Sequence, residues 1–363
     1  MHWPYCARIC PYCDFNVYRD RGRTAEQAAL VEAILRDLRA QAALTGPRRL
    51  VSVFFGGGTP SLLPPRDVAA ILDAAVGLWS PAEQVEVSLE ANPTDAEAGR
   101  FADLASAGVE RLSLGLQALD DAELAFLSRN HSAAEGRRAA ETAAAAFPRV
   151  SLDLIYARPG QTPEAWAAEL AQAVALGAEH LSPYQLTIEA GTAFDRAVRR
   201  GRLTPADPDR AADLYDVTQA VLEGAGFHAY EVSNHARGQA ARSRHNLVYW
   251  RGEDYVGVGP GAHGRLTLDG VRHATAAPDR PAAYIVAAGR PVLQRLSAVE
   301  TREERLLMGL RVQEGVPVAA LAGVDLSRAA PMVDAGLLSL DTHLRATADG
   351  RLLLDRITAE LLA

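Results

Sequence analysis

The chain has 363 residues, 48% apolar and 23% charged, with a formal charge of −8. That is the composition of an ordinary globular protein, and the acidic balance argues against nucleic acid or an anionic membrane as the main partner. Every basic residue other than histidine is arginine, which excludes lysine Schiff bases, pyridoxal phosphate anchoring and the P-loop lysine.

No run of about 18 apolar residues is present, so no transmembrane span is expected. The start carries no charged-then-apolar pattern of a secretory signal. Cys6, Cys10 and Cys13 are the only cysteines and share one loop. Their crowding argues against a disulfide framework and points to a reducing, cytoplasmic setting. Thiolates converging in this way suit an iron–sulfur cluster or zinc. With no fourth cysteine, one coordination position is expected to stay open.

Downstream, Thr24 and Gln27 read as a capping box, followed by Val31, Ile34, Leu35 and Leu38 at helical spacing. A strand over 51–55 runs into Gly56-Gly57-Gly58, and a helix over 66–78 leads to a strand over 85–89 that ends at Glu90-Ala91-Asn92-Pro93. Thr94 and Glu97 pair as a cap for a helix reaching Ala107. A strand over 111–116 ends at Gln117, and Ser132 and Glu135 cap a helix to Ala146. A strand over 150–155 carries Asp153, and helices over 163–176 and 209–225 flank a strand over 180–187.

Five strands alternating with helices at this spacing predict βαβ units and a parallel sheet. Ligands of such sheets lie at the carboxyl ends of the strands. The glycine run, Glu90, Gln117, Asp153 and Tyr184-Gln185 all stand there, which predicts a shared site on one rim.

After residue 226 the pattern breaks into polar–aromatic stretches, Glu231 to His235 and His245 to Trp250. Gly259, Gly261 and Gly264 match G-x-G-x-x-G, but a strand follows where a dinucleotide site needs a helix. The stretch reads as a glycine loop lying close to a ligand or to backbone. From Ala298 onward ten acidic residues face seven arginines. A helical segment, Gly336-Leu337-Leu338 and a hairpin through Asp349-Gly350 suggest a winged-helix-like appendage that packs or covers rather than binding DNA.

The spacing C-x-x-x-C-x-x-C with an aromatic-rich loop resembles the radical S-adenosylmethionine (SAM) superfamily. There, three cysteines hold a [4Fe–4S] cluster and SAM chelates the fourth iron. H-W-P-Y-C, C-P-Y-C-D-F-N, G-G-G-T-P-S-L-L, E-A-N-P, Y-Q-L-T-I-E, H-N-L-V-Y-W and G-A-H-G narrow the likeness to the oxygen-independent coproporphyrinogen III oxidase (HemN) family, along nearly the whole chain. Phe15 stands where the oxidases carry a further cysteine, and with His245 to Trp250 it places the chain closer to the HemW branch of heme chaperones.

The resemblance implies an α/β fold: a partial (β/α)6 radical SAM barrel over 1–225, a connecting segment over 226–297 that packs on it, and a winged-helix-like domain over 298–363. It assigns Cys6, Cys10 and Cys13 to the cluster. Tyr12, Gly57, Gly58, Thr59, Glu90, Gln117, Arg129 and Asp153 are assigned to SAM, with the glycines allowing close backbone approach. His245 falls in the motif for heme attachment. The implied function is holding heme and delivering it to hemoproteins, with homodimerisation suggested. The alternatives are oxidative decarboxylation of coproporphyrinogen III in porphyrin biosynthesis and a structural zinc site using His2. Family members open with a strand and a SAM-site tyrosine before the cysteine loop. Both are expected to be missing here, either through a start assigned too late, which is preferred, or because the barrel lacks its first strand, which would leave five strands and an unpaired sheet edge beside the cluster.

Overall fold

Along the central strands of the computed structural model, which describes residues 1–95 and 98–363, side chains alternate with a period of two. Leu112, Leu114 and Leu116 point outward, as do Val87 and Leu89, Val150, Leu152 and Leu154, and Leu181, and all are buried. They pack on an outer layer of helices through Leu30, Ile34, Ile71, Leu104, Trp166, Leu170 and Leu214. The intervening residues, Glu86, Ser88, Arg111, Ser113, Ser151, His180 and Ser182, point inward and are equally buried. A closed eight-stranded α/β barrel fills its interior with branched apolar side chains. This one is lined with polar groups.

Six strands lie in parallel and in sequence order: β1 (His2–Trp3), β2 (Arg49–Gly57), β3 (Ser80–Ala91), β4 (Arg111–Gln117), β5 (Arg149–Tyr156) and β6 (His180–Gln185). The expected loss of the first strand is thus corrected. His2 and Trp3 pair with Gly56 and Gly57, and the N-terminal amine donates to the Phe54 carbonyl at 2.8 Å. The short strands β7 (His228–Ala229) and β8 (His235–Ala236) extend the sheet antiparallel beyond β6, in the order β6-β8-β7.

The crossover helices include α1 (Thr24–Thr45), α2 (Pro65–Leu78), α3 (Ala98–Ser106), α4 (Ala133–Ala146), α5 (Pro163–Ala175) and α6 (Pro208–Gly224). Ser132 and Glu135 form the expected capping box on α4. Thr24 does not cap α1. It is the first helical residue, and the Gln27 amide reaches back to Asp20 at 3.0 Å instead. The cap expected at Thr94 and Glu97 lies outside the described residues.

The connecting segment carries α7 (Arg244–Trp250) and a three-stranded antiparallel sheet, β9 (His263–Leu268), β10 (Val271–Ala276) and β11 (Leu293–Arg295). In its glycine loop, Gly259 lies against the backbone of the N-terminal strand. The His2 N–H donates to Val258 O at 2.8 Å, and a Cβ on Gly259 would fall 2.1 Å from His2 O.

At the C-terminus, α8 (Ala298–Gly309) and α9 (Leu354–Leu362) pack on a small sheet of β12 (Val316–Pro317), β13 (Leu338–Leu340) and β14 (His343–Ala346). Leu306, Leu310, Leu344, Ile357 and Leu361 form its separate core. The hairpin turns at Asp341-Thr342, between β13 and β14. Asp349-Gly350 lies instead in a helical turn capped by Thr347, where glycine is needed since a Cβ on Gly350 would strike Leu337 O at 1.9 Å.

Candidate functional site

The carboxyl ends of the parallel strands open into a cavity of about 500 Å³. All the residues assigned by resemblance line it: Cys6, Cys10, Cys13, Tyr12, Gly57, Gly58, Thr59, Glu90, Gln117, Arg129, Asp153 and His245. Residues spread over some 240 positions of sequence therefore face one space.

The cysteine loop is tied down at several points. The Cys13 N–H donates to Cys10 O at 3.2 Å, the Asp20 N–H to Cys6 O at 2.8 Å, and the Phe194 N–H to Pro11 O at 3.0 Å. The Asn16 side chain donates to Pro260 O and Asp279 O at 3.1 and 2.8 Å, which fastens the loop to the connecting segment. Arg129 places Nη1 3.3 Å from Cys10 Sγ while Nη2 donates to Gly115 O at 3.0 Å. Burial pushes the Cys6 thiol up to about 11 and raises Cys13 as well. Without a bound cation these groups stay protonated at neutral pH.

A mononuclear zinc site does not fit this arrangement. Among the described residues, no three of His, Cys, Asp and Glu converge on a point where one ion would sit. The His2 ring occupies the space over Gly57, where a Cβ would lie 2.2 Å from Cδ2, and it hydrogen-bonds the Pro260 backbone.

That packing also revises why the glycines are there. A Cβ on Gly58 would meet Tyr5 O at 2.7 Å and Trp3 O at 2.9 Å. Close approach by the chain's own N-terminal segment demands glycine at both positions before any ligand is considered. Beside them, Thr59 accepts from the Asn92 amide at 2.9 Å.

Glu90 accepts from the Gly57 N–H at 3.0 Å. Burial, reinforced by the Asp153 charge, pushes its carboxyl up to about 7. Asp153 is raised by burial too, although Ser113 and Ser151 donate to it at 2.9 and 3.3 Å. Gln117 adopts a left-handed φ of +67° at a slip in the β4–β5 register, a strained geometry of the kind found at functional sites. Bare Gly115 makes room, since a Cβ there would lie 2.7 Å from Gln117 Nε2.

His245 stands in the first turn of a helix, not in a loop. Ser243 caps that helix by accepting from the Asn246 N–H at 3.2 Å, and the buried Glu86 carboxylate accepts the N–H groups of Arg244 and His245, each at 3.0 Å. The imidazole stacks on Phe54 and meets the edge of Tyr249 at 4.7 Å. Burial holds it well below the ordinary histidine range, so it is neutral at pH 7 with a lone pair to offer. Phe54, His245 and Tyr249 also border a second cavity of about 540 Å³.

Sequence reasoning passed over Phe54, Arg111, Ser113 and Tyr249, all of which line the first cavity. For Arg111 and Ser113 the signal was present as alternation: E-V-S-L-E, R-L-S-L-G-L-Q and V-S-L-D place a polar residue or glycine at every second position.

Comparison with known proteins agrees with this architecture. The pattern of the radical SAM superfamily matches residues 1–172, and that of the HemN C-terminal domain matches residues 296–353. Over its full length the chain is 42% identical to the mitochondrial radical S-adenosyl methionine domain-containing protein 1 of Bos taurus, covering 86% of that protein. It is 38% identical over its full length to the heme chaperone HemW of Mycobacterium tuberculosis, covering 94% of it. With the Escherichia coli heme chaperone HemW it shares 39% identity over 74% of this chain and 70% of that one. Among solved structures, the Escherichia coli coproporphyrinogen III oxidase HemN superposes with a TM-score of 0.80 at 21% identity, over 99% of this chain and 88% of that chain. The last is a likeness of fold.

Proposed function

Because the chain belongs to the radical SAM superfamily, in the group that holds HemW and radical S-adenosyl methionine domain-containing protein 1, we propose that it binds a [4Fe–4S] cluster and SAM, holds heme, and passes heme to acceptor proteins. The observation that carries this reading is one cavity lined both by the three thiols and by a neutral histidine.

The donor set fits the cluster. Three thiols that share a cavity without meeting at one ion suit a group in which each thiolate takes a different iron. When bound, the cluster supplies one-electron reduction at the SAM sulfonium. The protein's part is to hold and orient. Cys6, Cys10 and Cys13 supply the thiolates, Arg129 sets a positive charge beside Cys10, and Glu90 and Asp153 offer acceptors for ligand hydroxyl or amino groups.

For heme, neither His245 ring nitrogen is held by a hydrogen bond among the described residues. The flat contact with Phe54 fixes the ring plane. A neutral, oriented imidazole is an ordinary axial ligand. Phe15, 61% exposed, places an aromatic ring at the cavity mouth where the oxidases carry a thiol.

The test is heme titration of the anaerobically reconstituted protein, followed by absorption spectroscopy. Uptake by wild type and loss of the histidine-ligated spectrum in His245→Ala support the reading. No uptake by wild type overturns it, and formation of protoporphyrinogen from coproporphyrinogen III in the presence of a reductant replaces it with the oxidase.

A further inference from the structure

Among the described residues, the inner face of the barrel holds one arginine, Arg111, whose donors no neighbour accepts. Arg111 opens β4, is 3% exposed, and lines the cavity. Among the described residues, no hydrogen bond and no ion pair within 4 Å reaches its guanidinium, and its Nε is sealed from solvent without an acceptor. Ser88, its register partner on β3, has a hydroxyl sealed in the same way.

The carboxylates nearby make their hydrogen bonds elsewhere. Glu86 accepts from Arg149 at 2.8 Å and from two N–H groups of α7. Glu90 is taken by Gly57, and Asp153 by Ser113 and Ser151. Glu86, Glu90 and Asp153 act on the Arg111 charge through space, but none of them accepts from its N–H groups, and buried donors left unpaired are costly. The planar fork of donors on Arg111 matches the two oxygens of a carboxylate.

From this the geometry points to Arg111 as the carboxylate-binding residue of the cavity, gripping a carboxylate of the bound ligand through its Nη atoms. The choice of ligand rests on the function proposed above. Heme brings two propionates and SAM brings one methionyl carboxylate, and the same fork accepts either.

The test uses the full chain, reconstituted anaerobically, as wild type, Arg111→Gln and Arg111→Lys. Each is titrated with heme and heme dimethyl ester, and with SAM and its carboxamide analogue. For a propionate, wild type prefers the free acid of heme by about tenfold or more, and Arg111→Gln brings that ratio close to one. The same collapse confined to the SAM pair assigns the carboxylate to SAM. It also upholds the site if wild type takes up no heme, a result that sinks the heme reading alone. Preferences for the free carboxylate that Arg111→Gln leaves unchanged in both pairs overturn the proposal. Should Arg111→Gln fail to fold, Arg111→Lys decides, because it keeps the charge and loses the fork. A severalfold fall in the ratio supports the assignment and an unchanged ratio overturns it.

Discussion

The His245 imidazole lies flat on the Phe54 ring, with centroids 4.2 Å and planes 8° apart. Phe54 belongs to β2 and His245 to α7, so a strand of the barrel sets the orientation of a side chain from the connecting segment. Aromatic pairs contribute about 0.5–1.5 kcal/mol beyond the area they bury. Phe54→Leu is expected to keep the apolar volume, free the imidazole to turn, and weaken heme binding about two- to tenfold. Heme titration with the Soret band as readout checks this, and unaltered affinity and spectrum refute a positioning role.

Glu86 acts on the same helix from beneath. It is fully buried, paired with Arg149 at 2.8 Å, and closes the N-terminus of α7. Removing one partner of a buried pair costs about 3–5 kcal/mol, so Glu86→Gln should unfold at markedly lower urea concentration. Burial pushes this carboxyl up, but Arg111, the two N–H groups and Arg149 outweigh it and hold it below 4.5. A depressed carboxyl stabilises fully above its unfolded value and loses that contribution as pH falls through the folded one. The gap between wild type and Glu86→Gln should therefore be constant above pH 4.5 and shrink below it.

What could be read from the sequence divides along physical lines. The cysteine loop and the residues at strand ends were legible, because thiols at fixed spacing and breaks after apolar runs are local signals. Arg111 and Glu86 were not, because strands covered by helices on one side read as apolar runs unless alternation is counted residue by residue. His2-Trp3 escaped notice as a strand, since two residues carry no periodicity and only pairing with Gly56 and Gly57 defines it. The G-x-G-x-x-G match was separated from a dinucleotide site by the strand after it, and the structure supplies the reason for Gly259 in the backbone of His2 and for Gly261 in the Asn16 side chain.

Acid should weaken the fold through buried histidines. Burial lowers His131 and His235 to about 4 and holds His180 well below the ordinary histidine range, and His180 is already fixed by Ser151 and Tyr230 at 2.7 and 2.9 Å. Below pH 6.5 the unfolded chain binds protons that the folded one refuses, so stability rises with pH from about 4 to 6.5 and then levels off for these groups. Glu90, raised to about 7, works in the opposite sense between pH 4.5 and 7. Urea midpoints at pH 5 and pH 7 should differ with the lower value at pH 5, and Glu90→Gln should widen the difference. Equal midpoints contradict the assignment of these histidines as neutral in the fold.

Gly58 links the strand end to the cysteine loop most directly. Its N–H donates to Trp3 O at 2.7 Å, and the space a Cβ would need is filled by the backbone of Trp3, Pro4 and Tyr5. These are backbone atoms that cannot rotate away, so Gly58→Ala must push the segment off β2, at a cost of about 1–3 kcal/mol. Tyr5 and Cys6 continue that segment and move with it, against their pairing with Tyr18 and Arg19. The expected outcome is a modest fall in stability with a disproportionate loss of iron and sulfide after reconstitution. The control is Gly77→Ala, at a position where a Cβ meets nothing within 4 Å, and it should load iron like wild type. If Gly58→Ala loads as fully as Gly77→Ala, close packing of the N-terminal segment does not position Cys6.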